Sequence, residues 1–133
     1  MSGLFRHMVF GADNPEAARA FYDATFAAIG VAPGTQDSNG RYVYRHEGQI
    51  FIIGRPIDGE AATYANGGTL GFFAPSAEAV HAWHAAGLAH GGSPCEGGPK
   101  DRVSPATGQP VTLAYLRDPT GNKLCMVYEQ EKP

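Results

Sequence analysis

The chain has 133 residues, 43% hydrophobic and 17% charged, with a formal net charge of −3. That length supports one domain, or two small halves sharing a core, and needs no disulfide to do so. The charge argues against nucleic acid as a main partner, because phosphate binding needs clustered Lys and Arg, and no run of about 20 apolar residues predicts a membrane span.

Eighteen Gly and ten Pro predict many turns and many short strands. Leu4–Phe10 reads as the first strand, with Phe5, His7 and Val9 on one face and Arg6, Met8 and Phe10 on the other. Asn14-Pro15-Glu16 opens a helix: Asn14 is the cap, Pro15 the first helical residue, and Glu16 an acid at the positive end of the dipole. Ala18, Phe21, Tyr22, Thr25, Phe26 and Ile29 form its apolar stripe, and Gly30 closes it. Val31–Gly40 is a polar segment. Arg41–His46 and Gln49–Gly54 form a hairpin around Glu47-Gly48, and Arg55–Asn66 is a connecting loop. Thr69–Ala74 is another strand. Ser76 caps a second helix running to about Gly91, with Val80, Trp83, His84 and Leu88 along its stripe. His81, His84 and His90 read as surface or outer-layer groups. Ser93–Gly108 has no periodicity and reads as loop, with a short strand near Ser93–Glu96. Val111–Arg117 and Lys123–Glu129 close the chain as a hairpin around Asp118–Asn122.

The halves repeat. Sliding the chain by 62 residues without a gap lays His7–Gly30 on Thr69–Gly92. Asn14 then falls on Ser76, Glu16 on Glu78, Phe21 on Trp83 and Gly30 on Gly92, so caps, aromatics and terminal glycines coincide. The unit is strand–helix–strand–strand–strand, twice. Two such units side by side would curl their sheets around a shared cleft, with helices covering the outer faces.

In the closing hairpin, Arg117-Asp118-Pro119-Thr120-Gly121-Asn122-Lys123-Leu124 resembles that of the vicinal-oxygen-chelate superfamily, which contains glyoxalase I, bleomycin-resistance and extradiol-dioxygenase proteins. Phe21-Tyr22 and the run from Gly67-Gly68 to Ser76 resemble it too. The resemblance covers nearly the whole chain. It implies an α+β fold: two βαβββ modules, at about 1–58 and 67–133, forming a curved mixed sheet around a central cleft with helices outside. It also implies a divalent metal (Zn, Ni, Mn or Fe), ligated from the first and last strands of each half. The matching positions are His7, Ile52, Thr69 and Cys125. His7 fits the pattern. Ile52 cannot ligate, the Thr69 hydroxyl is a weak ligand, and Cys125 replaces the usual Glu with a thiol suited to softer metals. That set falls short of a full ligand shell, so no metal residue is assigned; Glu129, on the Cys125 face, stands nearby. Other readings stay open beside these. His7 is also a cleft-wall histidine bonded to a Tyr or a carbonyl, and Cys125 a small packed side chain.

The inward faces give Phe5, His7, Val9, Ile50, Ile52, Thr69, Gly71, Phe73, Tyr115, Cys125, Val127 and Glu129. This is an apolar, aromatic surface with a few polar groups. His7, Cys125 and Glu129 are the catalytic candidates; Phe5, Ile52, Thr69, Phe73 and Tyr115 are the substrate-binding ones. Three functions follow. The first is a glyoxalase-like enzyme with lyase- or isomerase-type chemistry on an oxygen-bearing small molecule, using a degenerate metal site. The second is a metal-free binding or resistance protein that sequesters an aromatic or cationic compound. The third is a metal-free enzyme with Glu129 or His7 as general base. The resemblance implies a homodimer, and the two unpaired cysteines fit a cytoplasmic setting.

Overall fold

The computed structural model describes residues 3–130. The chain runs β1 (His7–Gly11), α1 (Pro15–Ala27), β2 (Thr35–Gln36), β3 (Tyr42–His46), β4 (Gln49–Gly54), then β5 (Leu70–Phe73), α2 (Ala77–Ala89), β6 (Ser93–Val103), β7 (Pro110–Arg117) and β8 (Lys123–Glu129). The strands form two four-stranded mixed sheets, ordered β1-β4-β3-β2 and β5-β8-β7-β6. In each sheet the strand before the helix pairs in parallel with the last strand of its half, and the other pairings are antiparallel. The fold is the expected α+β arrangement of two βαβββ modules.

Both helices start where the sequence puts their caps. The Asn14 side chain accepts from the Ala17 N–H at 3.1 Å, and the Ser76 hydroxyl from the Ala79 N–H at 3.1 Å. The helix ends differ slightly from expectation. α1 stops at Ala27, and Gly30 sits in the reversal beyond it with φ +85°, while the Val31 N–H reaches back to the Phe26 carbonyl at 2.9 Å.

One face of each sheet and both helices share a single core. Phe21, Tyr22 and Phe26 of α1 meet Tyr42, Tyr44, Phe51 and Ile53 of the first sheet; Val80 and Trp83 of α2 meet Ala114, Leu116, Leu124 and Met126 of the second. The halves join through aromatics: the Phe72 ring lies 5.3 Å from Phe26 and 6.0 Å from Phe51, both edge-on. Gly92 permits a second close approach between the halves, at Phe21. A Cβ there would sit 2.5 Å from the Phe21 ring and 2.8 Å from the Gly87 carbonyl.

A buried polar knot ties the ends of the chain together. Asp118 Oδ1 accepts the N–H groups of Thr120, Gly121 and Asn122, and its Oδ2 accepts from the Tyr22 hydroxyl at 2.6 Å and from Asn122 Nδ2 at 2.9 Å. Asn122 Nδ2 also reaches the Gly11 carbonyl at 3.2 Å. The Asp-Pro-Thr-Gly-Asn turn thus locks the last hairpin to α1 and β1. Arg117 donates to the Gly121 carbonyl at 2.7 Å and stacks over Tyr64.

Three expectations need correction. β1 begins at His7, not Leu4, because β4 supplies partners only from Ile50, which pairs with His7. Leu4 and Phe5 are left exposed at 89% and 78%. Thr35–Gln36, inside the polar segment, is a short strand against β3. Ser93–Val103, expected to be mainly loop, is an eleven-residue strand whose register slips between Cys95 and Lys100. Among the described residues it pairs on one side only, with β7. Edge strands tolerate Pro94, Pro99 and a bulge, and such residues erase the alternation that reveals a strand in sequence.

Candidate functional site

The face of each sheet turned away from the helices carries the predicted inward residues. Register confirms the parity: His7 pairs with Ile50 and Val9 with Ile52 in the first sheet, Gly71 with Cys125 and Phe73 with Val127 in the second. On the first sheet this face is sparse. His7 is exposed, its Nδ1 lies 2.9 Å from the guanidinium of Arg6, and among the described residues no Tyr or carbonyl bonds its ring. Ile52 is half-buried between Val9 and Val43. Phe5 lies before β1.

The second sheet is richer. Cys95, Tyr115, Cys125 and Gly71 stand in one row across four strands. Val111, Leu113 and Cys125 form a small buried cluster, with Tyr115 and Val127 packed against it. Burial pushes the Cys125 thiol up to about 11, and the Tyr115 hydroxyl offsets only part of that. The thiol is therefore protonated at neutral pH and a weak nucleophile. The Tyr115 hydroxyl is raised as well, first by burial and then by the Cys125 and Glu96 charges. Lys123 places its ammonium 4.9 Å from the centre of the Tyr115 ring and pairs with the Glu96 carboxylate. Phe73 is 77% exposed, Thr69 is exposed just before β5, and Glu129 is exposed at the end of β8.

Lys123, Glu96, Cys95 and Arg102 were not singled out from sequence. Lys123 was legible, since alternation along β8 puts it on the Cys125 face. Glu96 was not, because a bulge breaks the alternation.

A cavity of about 160 Å³ lies between β1 and β5, lined by Met8, Phe10, Gly68, Thr69 and Leu70 among others, and one of about 300 Å³ lies at the β3–β4 hairpin. Neither is lined by His7, Cys125 or Glu129. The structure thus puts Cys125 and Tyr115 side by side, and His7 on the other sheet.

Among solved structures, a glyoxalase/bleomycin resistance protein from Albidiferax ferrireducens is 44% identical, with a TM-score of 0.90 over 96% of this chain and 100% of that one. The chain belongs to the glyoxalase/bleomycin resistance family. Two more distant structures share the fold of this family. A lactoylglutathione lyase from Agrobacterium tumefaciens is 22% identical, with a TM-score of 0.63 over 96% of this chain and 94% of that one. A glyoxalase-related enzyme from Fulvimarina pelagi is 17% identical, with a TM-score of 0.69 over 94% and 87%. No protein-family model matches the chain, and no curated protein matches it.

Within this glyoxalase-like chain the donor set does not fit the divalent metal that the superfamily implies. Among the described residues, no three His, Cys, Asp or Glu side chains converge. Ile52 offers no donor, Thr69 only a neutral hydroxyl, and Cys125 a lone thiol where the superfamily pattern has a carboxylate. Among the described residues no helix is long and apolar enough to cross a membrane.

Proposed function

We propose that this glyoxalase-like protein holds an oxygen-bearing small molecule against the open face of its second sheet, in a cleft completed by a second copy of the chain. The supporting observation is the makeup of that face. Val111, Leu113 and Cys125 provide an apolar floor, and Tyr115 and Lys123 set polar groups at its margin. Small-molecule sites combine such apolar lining with a few placed polar groups. The need for a second copy rests on the edges. Among the described residues β1 pairs only with β4 and β5 only with β8, and Phe5, Val9 and Phe73 stand exposed on or beside them. Exposed apolar side chains of this size invite a covering partner. A two-fold copy setting β1 of one chain beside β5 of the other would bring one His7 toward the other Cys125 face.

On this reading Cys125 is floor rather than base. His7 and Glu129 are the accessible proton acceptors, which favours metal-free proton transfer or plain sequestration over metal-assisted lyase or isomerase chemistry. Light scattering should give the mass of two chains, and Val9→Asp should give one. A monomeric native protein overturns the shared cleft. Metal analysis of protein purified without chelator should find only traces. Stoichiometric Zn, Ni, Mn or Fe that is lost in His7→Ala overturns the metal-free reading. Turnover lost in Glu129→Gln with binding retained would mark an enzyme; binding without turnover in the native protein would mark sequestration.

A further inference from the structure

We propose that the Glu96 carboxylate is a built-in occupant of an anion site, and that the small molecule received by the second sheet carries a carboxylate that displaces it. This rests on the reading of that face as the ligand wall and names the ligand's chemical class.

The argument begins with the bulge. Glu96 lies where the β6–β7 register slips, and its backbone is left-handed, with φ 54°. Side chains rarely adopt that conformation unless the surroundings hold it. Two lysines hold Glu96. Lys123 pairs with its carboxylate, and Lys100 Nζ donates to its carbonyl at 3.0 Å. Register then places Lys100 opposite Leu113 and Arg102 opposite Val111, on the same open face. One carboxylate therefore sits among three cations. Its own pKa reflects this: the Lys123 bond first, with Lys123, Lys100 and Arg102 acting through space, holds it below the usual carboxylate range. Glu129, which pairs with Val111 from the other side, is a second acid on this face.

The carboxylate is also able to leave. Gly97 and Gly98 follow it directly, and a Cβ at either would meet nothing within 4 Å. The Glu96 side chain is 45% exposed in its pair with Lys123, so water already reaches it. The site it would vacate is well placed. The Lys123 ammonium lies over the Tyr115 ring, beside the apolar floor. A ligand carboxylate on Lys123 would set its apolar body over Tyr115, Leu113 and Val127. Three cations on this wall are the wrong complement for a cationic compound, so the anionic class is favoured.

The test titrates benzoate, and benzamide as its uncharged counterpart, into the native protein, Glu96→Gln and Lys123→Gln, followed by backbone NMR shifts. Unchanged thermal melting checks that each variant is folded. Benzoate should bind Glu96→Gln at least tenfold more tightly than the native protein, shifting Gly97, Gly98 and Leu113. Binding should weaken at least tenfold in Lys123→Gln and fall with added salt. Benzamide should show no such ranking. Equal benzoate affinity in the native protein and Glu96→Gln overturns the built-in occupant. If benzamide matches benzoate while shifting Leu113, Cys125 and Val127, the face is still a ligand wall but the anion site is lost. If neither compound perturbs the face of any variant, both readings fail.

Discussion

The two halves share one plan and spend it differently. Each is strand, helix, three strands, and each helix is thirteen residues long and capped by a short polar side chain. On the helix side they are equivalent, down to Phe21 and Trp83, which occupy matching positions and are both almost wholly buried. On the open side they diverge. The first half ends its sheet in a two-residue strand and exposes His7 and Val9. The second extends the corresponding strand to eleven residues, bulges it, and gathers Tyr115, Cys125, Lys123 and Glu96. The repeated packing surface is fixed by the shared core. The unshared surface is where this chain has room for chemistry, because a change there does not disturb the packing on the other side of the pleat.

The equivalence of the helix sides is testable by matched substitutions. Phe21→Ala and Trp83→Ala should each destabilise the whole chain by about 3–5 kcal/mol, seen as one cooperative urea transition shifted to lower concentration. Two separate transitions would show that the halves fold apart. The next effect has no counterpart in the second half, where His84 stands at the position matching Tyr22. Tyr22→Phe removes the hydroxyl that donates to buried Asp118 and should cost about 1.5–3 kcal/mol. A negligible change would mean that Asn122 and the turn N–H groups satisfy Asp118 by themselves. Smaller still are the caps: Asn14→Ala and Ser76→Ala should each cost about 1 kcal/mol, equally if the repeat holds at this level.

The last effect concerns Cys125 and shows only at high pH. Its folded thiol titrates at about 11 against an ordinary 9.0, so folding favours the protonated form. That contribution is complete below pH 9 and is lost as the pH rises toward 11. Stability should fall across that window in the native protein and less so in Cys125→Ala. Alkylation of Cys125 in the folded chain should be slow at pH 8 and speed up over the same range. Rapid labelling at pH 7 would show a thiolate and restore Cys125 as a nucleophile.

Much of this was legible in the amino-acid order. Asn14-Pro15-Glu16 and Ser76 announce helix starts because capping is local chemistry, settled within four residues. Alternation in Lys123–Glu129 announces the faces of β8 because neighbouring side chains on a strand must point opposite ways. The gapless repeat announces two modules, and the Asp118–Asn122 turn resembles that of a known superfamily, to which a 44% identical structure assigns the chain. What failed to show was long-range. Leu4 and Phe5 have strand composition but no strand opposite them. Ser93–Val103 has loop composition but gains order from its pairing with β7.

By itself, then, the sequence determined both helices and their caps, the closing hairpin, the parity of the strand faces and the family resemblance, all properties of short spans or of a repeated pattern. Tertiary structure alone decided that His7 and Cys125 stand on separate sheets, that burial keeps the Cys125 thiol protonated, and that Glu96 is set among Lys100, Arg102 and Lys123. Those facts depend on register, on a bulge and on which side chains exclude water. Each arises from contacts between residues far apart in the chain, which no local pattern records.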